Sequence, residues 1–208
     1  MTILVILGLV MSLVAHEVAH GYVSEWLGDP TPRRKGRLTL NPLAHLDLWG
    51  TLLPVVLYFA GLPAIGYAKP VPVDPRYYKD ARRGLAMVAV AGPAANALIV
   101  VVLAAVMRTA ALSDPVYQLL GQLVLVNVVL GLFNLAPVPP LDGSKIVQLA
   151  LPSRLAYRYL AWPYGRFLVF GVVLFGRGLL ASLFFLALRL TQAVGVDVVR
   201  AFPRLFHT

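Results

Sequence analysis

The sequence predicts an all-α polytopic membrane protein, with about four transmembrane helices, a short re-entrant segment and small β-strands at the membrane surface. Composition is the first reason: 59% of the 208 residues are hydrophobic and 13% are charged. A soluble domain is about 45–50% apolar and about 25% charged. The mean hydropathy of +0.78 is the second reason. The third is the pattern, in which long apolar runs alternate with loops that hold most of the Lys and Arg residues.

The apolar runs give the number of spans. Four of them approach or exceed the roughly 20 residues that a helix needs to cross the hydrocarbon core. These runs lie at about 3–26, 85–107, 117–136 and 167–190. The last one is interrupted by Gly176-Arg177-Gly178. Because an arginine in mid-span is costly unless it faces protein, water or the interface, we expect this span to be broken or tilted.

A fifth apolar run, at 49–63, predicts the re-entrant segment. It is short and contains two glycines and two prolines. Basic residues are concentrated before it, at 33–37, and after it, at 69–83. A full crossing would leave one of these basic loops on the wrong side of the membrane. We therefore expect residues 27–84 to be cytoplasmic and the N-terminus to be outside.

Two short segments have the pattern of strands. Residues 36–40 alternate between apolar and polar side chains, and residues 65–73 are bounded by proline and contain β-branched residues. We expect both to form small strands at the membrane surface. The whole chain, 1–208, is predicted to be one membrane-embedded domain, with a core at 1–150 and a C-terminal helical region at 151–208.

Charge and cysteine content exclude some classes of function and site. The net charge is +9, but the basic residues lie in loops between apolar runs, which disfavours nucleic acid as a partner and favours the lipid bilayer. The chain has no cysteine. Disulfides and thiolate metal sites are therefore excluded, and any metal must be bound by His, Asp or Glu.

The sequence His16-Glu17-Val18-Ala19-His20 is the main candidate site. Positions i and i+4 share one face of a helix, so both histidines can bind one metal ion, and Glu17 lies beside them to act as a general base. The alternative is a pair of hydrogen-bonded core histidines without metal. Ionisable groups inside an apolar membrane helix are expensive and usually functional, which favours the metal site.

A third metal ligand is expected from a carboxylate or histidine at membrane depth. Asp142 is the candidate, in the segment Asn134-Leu-Ala-Pro-Val-Pro-Pro-Leu-Asp142-Gly143. The prolines end the preceding helix, and Gly143 permits a tight turn next to the acid. From the residues alone, an ordinary aspartate in a proline-rich turn is an equally good interpretation.

The two motifs together resemble those of the site-2 protease family of intramembrane zinc metalloproteases. Further matching segments are Gly28-Asp29, 37–47, Gly50-Thr51, 68–73 and Gly92-Pro93-Ala94-Ala95-Asn96. The resemblance covers about residues 10–150, and it fits a compact bacterial or archaeal-type member without a PDZ or CBS domain. It implies one catalytic Zn²⁺ with Asp142 as the third ligand. It also implies a multi-pass protein of the cell membrane that cleaves transmembrane or membrane-adjacent segments of membrane proteins from the cytoplasmic side.

Three further polar residues are candidates for supporting roles. Asn96 is expected to bind the substrate backbone or an oxyanion, with a polar contact between helices as the alternative. Asn134 is expected either to orient the Asp142 loop or to bond free backbone groups at the end of its helix. His45 is either an additional group of the metal site or, by preference, a loop residue that shapes the Asn41-Pro42 turn.

The sequence therefore predicts a zinc metalloendopeptidase of the site-2 protease type. One alternative is a membrane protein that binds or transports metal with the same ligands. A transporter is expected to have acidic or histidine residues along several spans, whereas this chain has nine Asp and Glu in total. The other alternative is an inactive protease-like scaffold, which the intact His16, Glu17, His20 and Asp142 disfavour.

Overall fold

The structure, a computed structural model, describes residues 2–47, Gly50, Phe59 and residues 69–205. The described α-helices are α1 (Thr2–Trp26), α2 (Thr31–Arg34), α3 (Ala81–Thr109), α4 (Asp114–Asn134), α5 (Asp142–Val147), α6 (Ser153–Leu160), α7 (Gly165–Phe175), α8 (Arg177–Ala193) and α9 (Val198–Ala201). Short 3₁₀ turns lie at Pro42–His45, Pro75–Tyr77, Gln148–Ala150 and Pro203–Leu205.

Among the described residues, three helices are long and apolar enough to cross a membrane: α1, α3 and α4. Helices α7 and α8 reach that standard only as a pair, which would give a fourth span, and they bend by 82° at the break between them. The break falls at Gly176, between the two helices. For the part of the chain that the structure describes, the expected all-α architecture is confirmed, and the interruption predicted at Gly176-Arg177-Gly178 is present.

Local sequence explains where the long helices begin and end. Asp80 caps α3, because its carboxylate accepts hydrogen bonds from the backbone N–H groups of Arg82 and Arg83. Helix α4 begins at Asp114-Pro115, where a proline fits the first turn of a helix. It ends at Asn134, shortly before the prolines of the Asp142 loop.

Helix α3 lies at the centre of the fold and packs against α1, α4 and α5. Helix α4 in turn packs against α8 and α9. A hydrophobic cluster joins α3, α4 and the C-terminal region through Val100, Ala104, Met107, Tyr117, Val124, Val196 and Ala201. Many other apolar side chains on the long helices point outward, such as Ile3 and Leu98, at 73% and 65% exposed. This arrangement suits hydrocarbon better than water.

The prediction of surface strands is wrong for the residues that the structure describes. Residues 36–40 form a turn and a bend, because Gly36 takes a left-handed conformation at φ 64° just after α2. Residues 69–73 have no regular structure. Their backbone N–H groups bond to groups outside any strand: that of Lys69 donates to the His45 carbonyl, and that of Val71 donates to Glu17. Residues 65–68 lie outside the described residues, as does the re-entrant run 49–63 apart from Gly50 and Phe59.

Candidate metal centre

His16 and His20 lie one turn apart on the same face of α1. Both side chains are buried, at 4% and 7% exposed. Their rings meet edge to face, with centroids 4.6 Å apart. The two Nε2 atoms are 3.1 Å apart. The helix therefore brings one nitrogen of each ring to a common point, as the i, i+4 spacing predicts.

Asp142, the first residue of α5, reaches the same point from a different helix, 126 residues after His16 in the sequence. Its Oδ2 lies 3.1 Å from Nε2 of His16 and 3.1 Å from Nε2 of His20. The carboxylate is buried. Gly143 makes this position possible, because a Cβ there would lie 2.0 Å from the Leu135 carbonyl oxygen. A larger residue would push α5 away from the end of α4.

Nδ1, the second nitrogen of each histidine ring, lies beside a carbonyl-type oxygen. His16 Nδ1 is 2.7 Å from Oδ1 of Asn96, and His20 Nδ1 is 2.6 Å from the carbonyl oxygen of Val88. A carbonyl oxygen only accepts hydrogen bonds, so each Nδ1 carries the proton and donates it. In the neutral imidazole each Nε2 then presents its lone pair to the common point. Partners of this kind orient metal-binding histidines in proteins.

The three converging atoms suit one divalent metal ion. They are electron-pair donors packed 3.1 Å apart, and such atoms repel one another unless a cation or a proton lies among them. Ligands of a tetrahedral zinc ion, at about 2.0–2.1 Å from the metal, are about 3.3 Å from one another. Two imidazoles and one carboxylate are also a typical ligand set of catalytic zinc. His16, His20 and Asp142 can therefore hold the metal together.

Gly92 of α3 lies directly against the two histidines. A Cβ at this position would be 2.5 Å from Nε2 of His16 and 2.5 Å from Nε2 of His20. The absence of a side chain thus leaves the space in which the two ring nitrogens meet. Pro93 follows in the helix interior and has no N–H to donate to the carbonyl of Ala89, four residues before it.

Glu17, the predicted general base, follows His16 directly in the sequence, and its side chain is half-buried. Its Oε2 accepts a hydrogen bond of 2.9 Å from the backbone N–H of Val71. This contact ties the irregular segment at 69–73 to α1. One oxygen of the Glu17 carboxylate is therefore held by this segment.

The predicted supporting residues differ in where they lie. Asn96 is fully buried and bonds to His16, so it lies at the centre. Asn134 donates to the Leu130 carbonyl of its own helix, 3.0 Å away. His45 is buried and donates from Nε2 to the Thr39 carbonyl, 2.9 Å away. It does not belong to the metal-binding group found among the described residues, and its bond shapes the 39–45 loop.

Two residues next to the site were not predicted from the sequence. Lys145 Nζ is 3.0 Å from Oδ1 of Asp142, which leaves Oδ2 for the histidines. The signal for it was its i+3 position after Asp142 on a helix. Asn127 of α4 is 1% exposed and bonds to Asn96. Its signal was a polar side chain in an otherwise apolar membrane helix.

Comparison with known proteins identifies the family. The sequence profile of Peptidase family M50 matches residues 107–172, a segment that contains Asp142 but not His16 or His20. The chain is 39% identical over 178 residues to "Putative zinc metalloprotease YwhC" of Bacillus subtilis, covering 81% of this chain and 78% of the relative. No solved structure matches the chain.

Two other relatives have similar names. The chain is 35% identical over 154 residues to "Putative zinc metalloprotease Rip2" of Mycolicibacterium smegmatis, covering 70% of this chain and 56% of that protein. It is 29% identical over 171 residues to "Zinc metalloprotease MJ0392" of Methanocaldococcus jannaschii, covering 81% of this chain and 41% of that protein. The predicted Zn²⁺ cofactor agrees with these names and with the cluster of His16, His20 and Asp142. The chain therefore belongs to peptidase family M50, the site-2 protease family of zinc metalloproteases.

Proposed function

We propose that this protein is an intramembrane zinc metalloprotease that hydrolyses peptide bonds in or near transmembrane segments of other membrane proteins. One observation carries the proposal. His16 and His20 from α1 and Asp142 from α5 converge at 3.1 Å from one another, buried among helices that are apolar enough to span a membrane. A hydrolytic metal site in such surroundings is suited to substrates that are themselves in the membrane.

Each residue of the site has a separate role in the proposed reaction. His16 and His20 would hold the zinc through Nε2, and Asp142 would hold it through Oδ2. When bound, zinc lowers the pKa of a water molecule towards neutrality and polarises the carbonyl of the bond to be cut. Glu17 would accept a proton from the attacking water and return it to the departing amine. The Val71 N–H engages Oε2 of Glu17, which keeps Oε1 available for the proton.

We further propose that the active site opens towards the cytoplasm of a cell-membrane protein. His20 lies six residues before the end of α1 at Trp26, or about 9 Å along the helix axis. Asp142 follows the end of α4 at Asn134. The cluster of His16, His20 and Asp142 therefore lies closer to the membrane face that holds the loops after α1 and α4 than to the opposite face. These loops carry the basic residues 33–37, 69–83 and 145–166, which favour the cytoplasmic side.

The test of the proposed function is the variant Glu17→Gln. Gln is similar in size to Glu but cannot accept the proton. Wild type and variant, purified in detergent, are compared for bound zinc and for cleavage of a single-span test substrate. We expect equal zinc in both and cleavage only by wild type.

The other outcomes correspond to the alternative functions. Zinc in both proteins with cleavage by neither, over a panel of single-span substrates, would favour an inactive scaffold or a metal transporter. Equal cleavage by both proteins would remove Glu17 from the mechanism. A zinc flux assay in proteoliposomes separates the transporter from the scaffold, because only a transporter moves the ion across the bilayer.

A further inference from the structure

A chain of buried polar side chains leads from His16 across three membrane helices. His16 Nδ1 bonds to Asn96 of α3, Asn96 Nδ2 is 2.9 Å from Oδ1 of Asn127 of α4, and Asn127 Nδ2 is 2.9 Å from Oγ of Ser12 of α1. Asn96, Asn127 and Ser12 are 0%, 1% and 5% exposed. Polar side chains buried in membrane helices are costly unless each has a partner, and here each one has.

The hydrogen bonds of the chain all run in one direction. His16 donates to Asn96, Asn96 donates to Asn127, and Asn127 donates to Ser12. Ser12 donates in turn to the carbonyl oxygen of Gly8, 2.8 Å away. Asn127 Nδ2 also donates to the carbonyl oxygen of Leu123, at 2.8 Å.

The hydrogen bonds of Asn127 fix the orientation of the Asn96 amide beside His16. The Leu123 carbonyl accepts only, so the amide nitrogen of Asn127 must face it, and Oδ1 of Asn127 must face Asn96. That oxygen requires a donor, so the amide nitrogen of Asn96 must face Asn127. Oδ1 of Asn96 then faces His16 and accepts its Nδ1 proton. A flip of either amide would bring two acceptors or two donors together.

We propose that Asn127 is a positioning residue of the zinc site: through Asn96, it holds the His16 ring with Nε2 directed at the metal. This inference rests on the proposed function, because it takes His16 as a zinc ligand. Asn127 does not touch the metal or the substrate. Its effect reaches only one of the two histidines, since His20 is oriented by the Val88 carbonyl instead.

The expected consequence is a loss of metal affinity. Without Asn127, the amide nitrogen of Asn96 loses its acceptor. The hydrogen bond that holds Oδ1 of Asn96 towards His16 by fixing the amide orientation is then absent. Changes to groups that orient metal-binding histidines cost about 10–100-fold in metal affinity or activity. A residue that only joined α1 to α4 would lower stability and leave the metal affinity of the folded protein unchanged.

The test compares Asn127→Leu with Val124→Ala in the full chain in detergent. Val124 is a matched control, because it is also fully buried on α4 but is not part of the polar chain. Zinc affinity is measured by competition with a chelator, and the site is observed through the absorption spectrum of the cobalt(II)-substituted protein. We expect Asn127→Leu to weaken zinc binding about 10–100-fold and to change the cobalt spectrum. Val124→Ala should leave both within about twofold, within the uncertainty of such comparisons.

A double variant tests the route through Asn96. If Asn127 acts through Asn96, then Asn96→Leu and the double variant Asn96→Leu with Asn127→Leu bind zinc equally weakly. Additive losses in the double variant would overturn the inference, as would wild-type affinity and spectrum in Asn127→Leu. If Asn127→Leu does not fold, Asn127→Ser is used instead. The small side chain of serine is tolerated in membrane helices, but it is too short to bond to Asn96. The same expected and contradicting results apply.

His16→Ala separates failure of this inference from failure of the proposed site. Wild-type zinc affinity in His16→Ala would overturn both, because His16 would not be a ligand. Loss of zinc in His16→Ala together with wild-type affinity in Asn127→Leu would overturn the role of Asn127 alone.

Discussion

Each of the two clustered histidines has an acceptor on the side away from Asp142. The acceptor is a side-chain amide for His16 and a main-chain carbonyl for His20. The hydrogen bond that orients His16 can therefore be removed by mutation of Asn96, whereas the one that orients His20 comes from the main chain and is kept in any variant at Val88. Lys145 plays the corresponding part for Asp142, because it engages the oxygen that does not face the histidines.

Gly92 gives the most direct prediction at the scale of one residue. In Gly92→Ala, the new Cβ would lie 2.5 Å from both Nε2 atoms, so the histidines or α3 must move. We expect zinc affinity to fall by about 10–100-fold or more, with a matching loss of cleavage. Zinc content and the chelator competition curve measure the effect.

Gly171→Ala is the matched control for Gly92→Ala. Gly171 also lies in a helix, α7, but a Cβ there would meet nothing within 4 Å. This variant should bind zinc normally and be neutral or more stable by about 0.4–1 kcal/mol. Normal zinc affinity in Gly92→Ala would show that the space between α3 and the histidines is not needed for the metal.

At this scale, the sequence predicted the residues that can be recognised by spacing. His16 and His20 are four positions apart on one helix, so their shared face follows from helix geometry. The role of Asn96 did not follow, because its side chain meets His16 only through the packing of α3 on α1. Asn127 was missed for the same reason, because its partners Asn96 and Ser12 lie on other helices. Lys145 was missed although its i+3 position after Asp142 on α5 is itself a spacing signal.

At the scale of elements, Asp29 connects the end of α1 to two loops. It is fully buried, and its carboxylate accepts hydrogen bonds from Ser24 Oγ and from the backbone N–H groups of Thr31 and Asp74. Burial by itself raises the pKa of this carboxyl group. The hydrogen bonds outweigh that effect, so the pKa of Asp29 lies below its ordinary value.

This lowered pKa predicts how stability depends on pH. A carboxyl group with a lower pKa in the folded state contributes stability above its unfolded pKa of about 3.9, and the contribution is lost as pH falls through the folded value. We expect Asp29→Asn to be less stable than wild type by about 1–3 kcal/mol at pH 7. The difference should shrink as the pH is lowered below about 4.

Thermal unfolding in detergent between pH 7 and pH 3 measures this difference. Asp197→Asn is the control, because Asp197 is an exposed cap of α9, which packs against α4 and α8. A stability difference for Asp29→Asn that stayed constant over the whole pH range would contradict the assigned role of the carboxylate.

Hydropathy was enough to predict the long helices but not the surface strands. A membrane helix satisfies all its backbone groups within one segment, so an apolar run of sufficient length is a strong signal. A strand needs a partner on another segment, and a five-residue alternation at 36–40 contains no information on that partner. In the second predicted strand, the backbone N–H of Lys69 instead donates to the His45 carbonyl, and that of Val71 donates to Glu17.

At the scale of the whole molecule, the distribution of charge predicts the orientation in the membrane. The chain has no cysteine, so single cysteines can be introduced as unique labels. Lys79 and Ser113 are exposed positions at opposite ends of α3. In intact cells, a membrane-impermeant maleimide should label Ser113→Cys, and it should label Lys79→Cys only after the membrane is opened.

The two labelling results carry separate information. The opposite pattern would place the basic loops outside the cell and would reverse the proposed opening of the active site. Labelling of both positions in intact cells would show that α3 does not cross the membrane at all.

The central claim is that His16, His20 and Asp142 hold one catalytic zinc ion, and removal and return of the metal test it most directly. Wild type is stripped with a chelator, and zinc is added back in steps while cleavage of a single-span substrate is followed. We expect no cleavage without metal and full recovery at about one zinc per chain, the stoichiometry of a three-ligand catalytic site. Asp142→Asn should need a large excess of zinc, whereas Asp114→Asn, an exposed aspartate at the start of α4, should behave as wild type. Full cleavage by the metal-free protein, or wild-type recovery in Asp142→Asn, would contradict the claim.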